Sequence, residues 1–214
     1  MALKLYQHPL ASFCHKPLMA FYENETPFEP ILVDLGDATS RAEFVKVWPM
    51  AKFPVLHDTV RDEIVPESTI IIEYVSQHYP GKAKLVPDDP DLARNARQWD
   101  RFHDNYVQDP MQKIIGDRLR PAEHKDPFGV EQAKKSLEVA YGILETAMAN
   151  KTWALGDAFT MADCAAAPAL YYADRVVPLA AYPNVARYRE RLLARPSYAR
   201  VLREAAPYLH LVPT

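Results

Sequence analysis

The spacing of apolar residues predicts two kinds of structure along this chain. Before about residue 80, short apolar runs typical of strands alternate with segments whose apolar residues recur three and four positions apart, as in helices. The predicted strands are 3–6, 28–33, 55–56 and 64–65, and the predicted helices are 12–22, 40–48 and 67–78. This order, β-α-β-α-β-β-α, predicts a small α/β unit.

Two motifs predict where helices begin. Ser40 is followed three residues later by Glu43, which is the capping-box pattern, so we expect a helix from Ser40 to Trp48. The segment Thr160-Met161-Ala162-Asp163 is a similar capping motif. It predicts that an alanine-rich helix follows over 164–177.

The second half of the chain has no convincing strand pattern. A segment rich in proline and aspartate separates it from the α/β unit and is typical of a linker. Helical spacing then predominates, and the predicted helices are 91–119, 130–150, 164–177, 184–195 and 197–204. We therefore expect an α/β domain over 1–80, a linker over 81–90 and an all-α domain over 91–214.

Composition limits the classes of binding partner and the cellular compartment that we expect for this protein. The 214 residues carry a formal net charge of -3 at pH 7, which gives no reason to expect nucleic-acid binding. Cys14 and Cys164 are far apart and form no metal-binding pattern, which argues against a disulfide scaffold. The chain shows no signal-peptide pattern at its start and no apolar run near the roughly 20 residues that span a membrane. We expect a soluble, cytoplasmic protein without a membrane partner.

The segment from Lys52 to Ser68 combines features of a small-molecule site. Pro54 opens a short apolar run, and Glu67-Ser68 stands at a predicted helix start. A helix N-terminus presents free N–H groups and a positive dipole end, which suit a carboxylate, and Lys52 adds a cation. Each feature alone is explained by a strand start or a helix cap. Together they predict a site for a small molecule that carries an amine and carboxylates.

Four segments, taken in order, resemble the cytosolic glutathione transferases of bacterial type, and the resemblance covers essentially the whole chain. They are 6–17, 48–56, Glu67-Ser68 and 156–163. The resemblance implies a thioredoxin-like, glutathione-binding domain, followed by an all-α domain that supplies the electrophile pocket. It also implies a serine active site of the beta-, theta- or zeta-like kind.

The resemblance assigns roles in glutathione binding. The backbone N–H and C=O of Phe53, before a cis Pro54, would pair with the cysteinyl backbone of glutathione as an added strand does. Glu67 would receive the γ-glutamyl ammonium, and Ser68 with its backbone N–H would receive the carboxylate. Lys52 would lie near the glycyl carboxylate. Glutathione is thus the implied co-substrate, and no metal is implied.

Conjugation requires a thiolate, whereas a free thiol has a pKa of about 8.5 and is mostly protonated at neutral pH. A hydroxyl that donates a hydrogen bond to sulfur stabilises the anion, and a helix N-terminus adds to this. Ser12 stands at the start of the first predicted helix, so we expect Ser12 to be catalytic and, with Phe13, to bind glutathione. Serine-type relatives often carry their serine one place earlier, at Ala11. Cys14 is interpreted as a small core residue, with a mixed-disulfide nucleophile as the alternative.

Four residues on the helix predicted over 91–119 could form the electrophile pocket, although core packing explains them nearly as well. They are Tyr106, Met111, Ile114 and Ile115.

Five polar residues near these segments have competing interpretations. Asp100, His103 and Asp104 share a helix face, and their spacing fits either a metal site or a polar lining of the interdomain cleft or of a dimer interface; we prefer the polar lining. His15 and Lys16 could raise the positive potential near sulfur, but we expect them to be solvated.

The function implied by the resemblance is that of a homodimeric enzyme that activates the thiolate of glutathione for attack on a small electrophile. The alternatives are a glutathione-dependent isomerase, a thiol/disulfide reductase and a non-catalytic glutathione-binding protein. The joint presence of Ser12, Lys52, Phe53-Pro54 and Glu67-Ser68 favours a transferase.

Overall fold

A computed structural model of the protein describes residues 2–212. Its first part contains one mixed sheet with strand order β2-β1-β3-β4. The strands are β1 (Leu3–Gln7), β2 (Glu29–Leu32), β3 (Val55–Asp58) and β4 (Glu63–Pro66). β1 pairs parallel with β2 and antiparallel with β3, and β3 pairs antiparallel with β4. The parallel pair needs a crossover connection, and the first helix supplies it.

Three helices accompany the sheet and confirm the predicted order of elements. They are α1 (Ser12–Asn24), α2 (Ala38–Val47) and α3 (Ser68–His78). On α3 the predicted apolar face is buried at Ile71, Tyr74 and Val75, while Ile70 is half exposed. Adjacent Ile72 is buried instead, so the face is turned slightly from the predicted one.

The predicted start of α2 at Ser40 is wrong. Asp37 is the N-cap, and its carboxylate accepts a hydrogen bond of 2.7 Å from the Ser40 backbone N–H. The Ser40 hydroxyl instead accepts a bond of 2.9 Å from the backbone N–H of Asp34. Glu43 pairs with Lys46 on the surface. The helix begins two residues earlier than predicted because the carboxylate of Asp37, upstream of Ser40, caps its first turn.

The second part of the chain is helical, as predicted. Its helices are α4 (Pro90–Phe102), α5 (Asp109–Arg118), α6 (Pro127–Ala147), α7 (Met161–Ala173), α8 (Pro183–Ala194) and α9 (Pro196–Ala205). No helix within residues 2–212 combines the length and apolar character needed to cross a membrane.

The single helix predicted over 91–119 is interrupted by a π-helical turn at His103–Gln108, which joins α4 to α5. Pro110, in the first turn of α5, has no N–H to donate to the carbonyl four residues earlier. A π turn relieves this by shifting the hydrogen-bond pattern, and it redirects the side chains that follow. Helical structure in this region was predicted, but the π turn within it was not.

Helix α7 holds the two parts of the molecule together. Nearly all of its residues are buried, and it packs against α1, α4 and the π turn. The capping box predicted at Thr160 is confirmed, because Asp163 Oδ2 accepts a 2.8 Å bond from the Thr160 backbone N–H while the Thr160 hydroxyl accepts one from Ala162. Its alanines allow close approach of α1, whose N-terminus faces the candidate site.

Candidate functional site

Three chain segments converge at one edge of the sheet. Tyr6 of β1 is paired with Val55 of β3, and Val55 is paired with Pro66 of β4. The loop after β1, the Phe53-Pro54 peptide and the start of α3 therefore lie side by side. The Phe53-Pro54 bond is cis. The ring of His8, in the loop after β1, stacks on Phe53 with centroids 6.2 Å apart.

Ser12 is the first residue of α1 and is buried, with 7% of its surface exposed. The N-cap position is Ala11, whose methyl side chain accepts no hydrogen bond. Among the described residues, no acceptor forms a hydrogen bond with the backbone N–H group of Ser12 or of Phe13. Free amides and the positive end of the helix dipole at this point suit an anion.

Gln108 lies in the candidate site beside Ser12, and the sequence patterns did not predict it. It is the last residue of the π turn, is buried, and its Nε2 donates a hydrogen bond to Ser12 Oγ. Because Ser12 Oγ accepts this bond, its own hydroxyl hydrogen is free to be donated elsewhere. No partner for Gln108 Oε1 occurs among the described residues. No sequence motif marks this residue, which lies 96 positions away along the chain.

The expectation that Lys16 is solvated is wrong. Lys16 is 1% exposed, and its Nζ lies 2.9 Å from Asp100 Oδ1 and 2.7 Å from Asp104 Oδ2. It also donates to Thr69 Oγ1 at 3.1 Å. Burial opposes ionisation of Asp100, but the charge and hydrogen bond of Lys16 outweigh it and hold the pKa of Asp100 below its ordinary value.

This ionic cluster connects the two parts of the molecule beside the site. Thr69 directly follows Ser68 at the start of α3, Lys16 is one turn after Ser12 on α1, and both acids come from the second part. Arg101 adds a second cation through contacts with Thr69 and Asp104. The two aspartates thus serve as ion-pair partners. Within residues 2–212, no three histidine, cysteine, aspartate or glutamate side chains are grouped to hold a metal.

Two buried histidines, His15 and His103, form hydrogen bonds to backbone carbonyls near the ionic cluster. His15, also expected to be solvated, is fully buried, and its Nε2 donates a 2.6 Å bond to the carbonyl of Pro9 in the loop before Ser12. His103 Nδ1 donates to the carbonyl of Trp99. Burial lowers the pKa of each histidine to about 4, so both rings are neutral at neutral pH.

Cys14 points into the core and is completely buried. Burial raises its pKa to about 12, and a backbone hydrogen bond from His8 offsets this only in part. A thiol in this state is neither accessible nor ionised.

The residues predicted to bind glutathione differ in exposure. Lys52 is exposed, Phe53 is half buried, and Pro54 is buried. Ser68 is buried at the first position of α3, and the exposed Glu67 precedes it as the N-cap with φ 70° and ψ 121°. A positive φ at a non-glycine residue stores strain, and strained residues of this kind cluster at active sites and ligand-binding sites.

A cavity of about 670 Å³ opens beside Ser12. Of the predicted pocket residues, Met111 and Ile115 line it, one helical turn apart on α5. Ile114 instead packs in the core, and Tyr106 is 58% exposed and does not line the cavity. The other lining residues include Leu10, Ala11, Gln108, Gln112, Tyr172, Leu209 and Leu211. An apolar chamber beside a buried hydroxyl can hold a small apolar reactant against an activated nucleophile.

Two family models match the chain. Residues 5–83 match the family described as glutathione S-transferase, N-terminal domain, and residues 107–196 match glutathione S-transferase, C-terminal domain. The chain is 27% identical over 190 residues to glutathione S-transferase GstB of Escherichia coli, which covers 87% of this chain and 91% of that protein.

Two solved structures are similar in fold. One is a glutathione S-transferase of Methylobacillus flagellatus with glutathione bound, which is 23% identical with a TM-score of 0.85 over 93% of this chain and 98% of that one. The other is a glutathione S-transferase of Methylobacterium radiotolerans in complex with glutathione sulfonate. It is 25% identical with a TM-score of 0.81 over 93% of each chain.

Proposed function

The chain belongs to the glutathione S-transferase family and is a glutathione transferase, and we propose that Ser12 is the residue that activates the thiol of glutathione. The active site is then of the serine kind, with the hydroxyl at position 12 and alanine at position 11. The observation that carries this proposal is the position of Ser12, at the N-terminus of α1 and on the wall of the apolar cavity.

Glutathione would lie across the sheet edge in residues 1–80. The backbone of Phe53, before Pro54, offers hydrogen-bonding groups to the cysteinyl unit, as an added strand would use them. Ser68 and its amide, at the start of α3, would bind the γ-glutamyl carboxylate, and Glu67 its ammonium. Lys52 would neutralise the glycyl carboxylate. The convergence of these segments through the β1-β3-β4 pairing supports this assignment.

Ser12 would lower the pKa of the bound thiol in two ways. Its hydroxyl hydrogen, left free because Gln108 donates to its oxygen, would be donated to the thiolate. The free amides of Ser12 and Phe13 and the dipole of α1 add positive potential. A thiolate held here faces the cavity wall formed by Met111 and Ile115. We assign the electrophile pocket, supplied by residues 91–214, to this cavity.

The test is ultraviolet titration of the bound thiolate in wild type, Ser12→Ala and the double variant Ala11→Ser/Ser12→Ala. We expect Ser12→Ala to retain the fold and most glutathione binding, to raise the pKa of the bound thiol and to slow conjugation at neutral pH. The defect should shrink as the pH rises. The double variant tests whether a hydroxyl at position 11 can replace the one at position 12 in lowering the pKa of the bound thiol. A Ser12→Ala protein that titrates like wild type would refute the assignment.

Reduction through Cys14 is disfavoured by its burial and raised pKa. A reductase of that kind would form a glutathione-sized mass adduct that disappears in Cys14→Ser. A non-catalytic binding protein would be retained on glutathione-agarose yet fail to turn over a chlorinated nitroaromatic. We expect retention, turnover and no adduct.

We further propose that the protein is a cytoplasmic homodimer. Both cysteines are unpaired, which fits a reducing compartment. Light scattering at micromolar concentration should give twice the mass of the 214-residue chain, and a monomer there would refute the dimer.

A further inference from the structure

The cavity beside Ser12 carries two cations at its rim. Arg118, at the end of α5, and Arg175, just after α7, both line the cavity and are otherwise exposed. None of the described residues that line the cavity is acidic. The chamber therefore combines an apolar wall with a positive entrance.

The acid next to each arginine is engaged elsewhere. Asp117 accepts a 2.7 Å bond from the backbone of Asp126 and lies 3.7 Å from Arg120. Asp174 accepts a 2.9 Å bond from the backbone of Leu179 and pairs with Arg189 at 3.2 Å. Across residues 2–212, neither Arg118 nor Arg175 has a salt-bridge partner. Both guanidinium groups keep their charge available to an incoming anion.

Arg175 is held in place by aromatic side chains. Its guanidinium donates a 2.5 Å bond to the Tyr171 hydroxyl and lies 4.5 Å from the centre of the Tyr171 ring. The neighbouring Tyr172 donates from its hydroxyl to the carbonyl of Leu10 at 2.8 Å, which fixes this part of α7 against the loop before Ser12. The contact with Tyr171 and the bond from Tyr172 to Leu10 therefore fix the position of Arg175 relative to Ser12.

We propose that this cavity selects electrophiles that have an apolar body and an anionic group, such as a carboxylate, at the end remote from the reacting carbon. This inference rests on the proposed function, because it places the electrophile beside the thiolate at Ser12. A guanidinium binds a carboxylate through paired, charge-assisted hydrogen bonds, and such bonds are stronger beside apolar surface than in water. The apolar body would lie against Met111 and Ile115.

The test uses the chlorodinitrobenzoate whose carboxylate is para to chlorine, together with its neutral methyl ester. In each reaction the glutathione sulfur forms a bond to the ring carbon, chloride leaves with the electron pair of the carbon–chlorine bond, and the thiol proton passes to solvent. The kcat/KM for each compound is divided by its uncatalysed rate constant with glutathione, which removes the difference in intrinsic reactivity. We expect the normalised kcat/KM to favour the benzoate.

The variants are Arg118→Met and Arg175→Met, with Arg120→Met as the matched control. Arg120 is an exposed arginine two residues from Arg118 that does not line the cavity. We expect Arg175→Met to lower kcat/KM for the benzoate about ten-fold, as expected for loss of a charged hydrogen bond, and to leave the ester nearly unchanged. Arg118→Met should have a smaller effect of the same kind, Arg175→Lys a partial one, and Arg120→Met none.

Three results would overturn the inference. They are a wild type without preference for the benzoate, an equal loss for both compounds in Arg175→Met, and a rise in the Kd of glutathione in either variant, which would assign the arginines to the tripeptide. Calorimetry with the two preformed conjugates, the carboxylate and its ester, gives the same comparison without turnover. If neither compound is turned over but the carboxylate conjugate binds more tightly through Arg175, then the transferase mechanism fails and the anion site stands.

Discussion

The side-chain amide of Gln108 donates a hydrogen bond to the Oγ of Ser12, across 96 residues of chain and from the helical part of the molecule to the α/β part. This bond uses a lone pair of the serine oxygen and leaves its hydrogen free. Because Gln108 sits at the end of the π turn, the irregularity in the α4–α5 helix and the orientation of the candidate catalytic hydroxyl are connected.

Replacing Gln108 should raise the pKa of glutathione bound to the enzyme. In Gln108→Met the pKa should rise by up to about one unit, because one neutral hydrogen bond contributes on the order of 0.5–1.5 kcal/mol. Gln108→Glu should raise it further, since a carboxylate accepts the Ser12 hydrogen and draws it away from sulfur. Ultraviolet titration measures both shifts. Gln112→Met is the control, because Gln112 lines the same cavity but, among the described residues, it is Gln108 and not Gln112 that hydrogen-bonds Ser12. An equal shift in that variant would contradict a positioning role for Gln108.

Glu67→Ala should weaken glutathione binding about ten-fold or more. A hydrogen bond to a charged group contributes about 1.5–3 kcal/mol, and each 1.4 kcal/mol changes an affinity about ten-fold. Isothermal calorimetry measures the Kd. Glu63→Ala removes an exposed acid from β4, the strand that ends just before Glu67, and should leave the Kd unchanged. Equal affinities for the Glu67 variant and the wild type would remove Glu67 from the site.

Lys16→Met should destabilise the fold by about 3–5 kcal/mol, because it leaves buried Asp100 and Asp104 without their main counter-charge. Urea unfolding at fixed protein concentration measures the loss. Lys46→Met removes a lysine from an exposed pair with Glu43 and should cost less than about 1 kcal/mol. If the two variants lose the same stability, the buried cluster has no structural role.

The contribution of His15 and His103 to the stability of the protein should be lost as the pH decreases from about 6.5 to about 4. His15 and His103 have folded-state pKa values of about 4, whereas the ordinary value is 6.5. Within that interval the unfolded chain binds protons that the folded chain does not. The histidine contribution to the free energy of unfolding is therefore fully present above about pH 6.5, decreases through the interval and levels off below about pH 4. The two histidines act in the same direction.

His15→Gln isolates one of these contributions, because glutamine can still donate to the Pro9 carbonyl and does not titrate. The stability lost between pH 7 and pH 5 should be smaller in this variant by about 2 kcal/mol, from roughly 1.5 pH units at 1.36 kcal/mol each. Urea unfolding at both pH values measures the difference. The exposed His210 provides the control as His210→Gln. An unchanged pH dependence in His15→Gln would show that His15 does not titrate as its burial implies.

The helix and strand order, and the segments that carry the candidate site, could be predicted from the sequence because local spacing encodes them. Strand pairing then brings the loop after β1, Phe53-Pro54 and Glu67-Ser68 to one edge, a consequence of topology that the family resemblance implied. Helix starts are also encoded locally, but Ser40 shows that the prediction of a start can fail. The side chains of both Asp37 and Ser40 could cap α2, and the conformation of the folded loop determines that Asp37 does so.

Solvation and side-chain direction were decided by tertiary structure. In the sequence, nothing distinguishes Lys16 from a surface lysine. In the structure it is buried and paired with Asp100 and Asp104, which are more than 80 residues away along the chain. Ile114 and Ile115 are adjacent and chemically identical, yet only Ile115 reaches the cavity, because the packing of α5 after the π turn sets its rotation. The sequence by itself determined the elements and their order through short-range periodicity and capping. The fold decided which charges are buried and which hydroxyl meets Gln108, because desolvation and hydrogen bonding depend on neighbours distant along the chain.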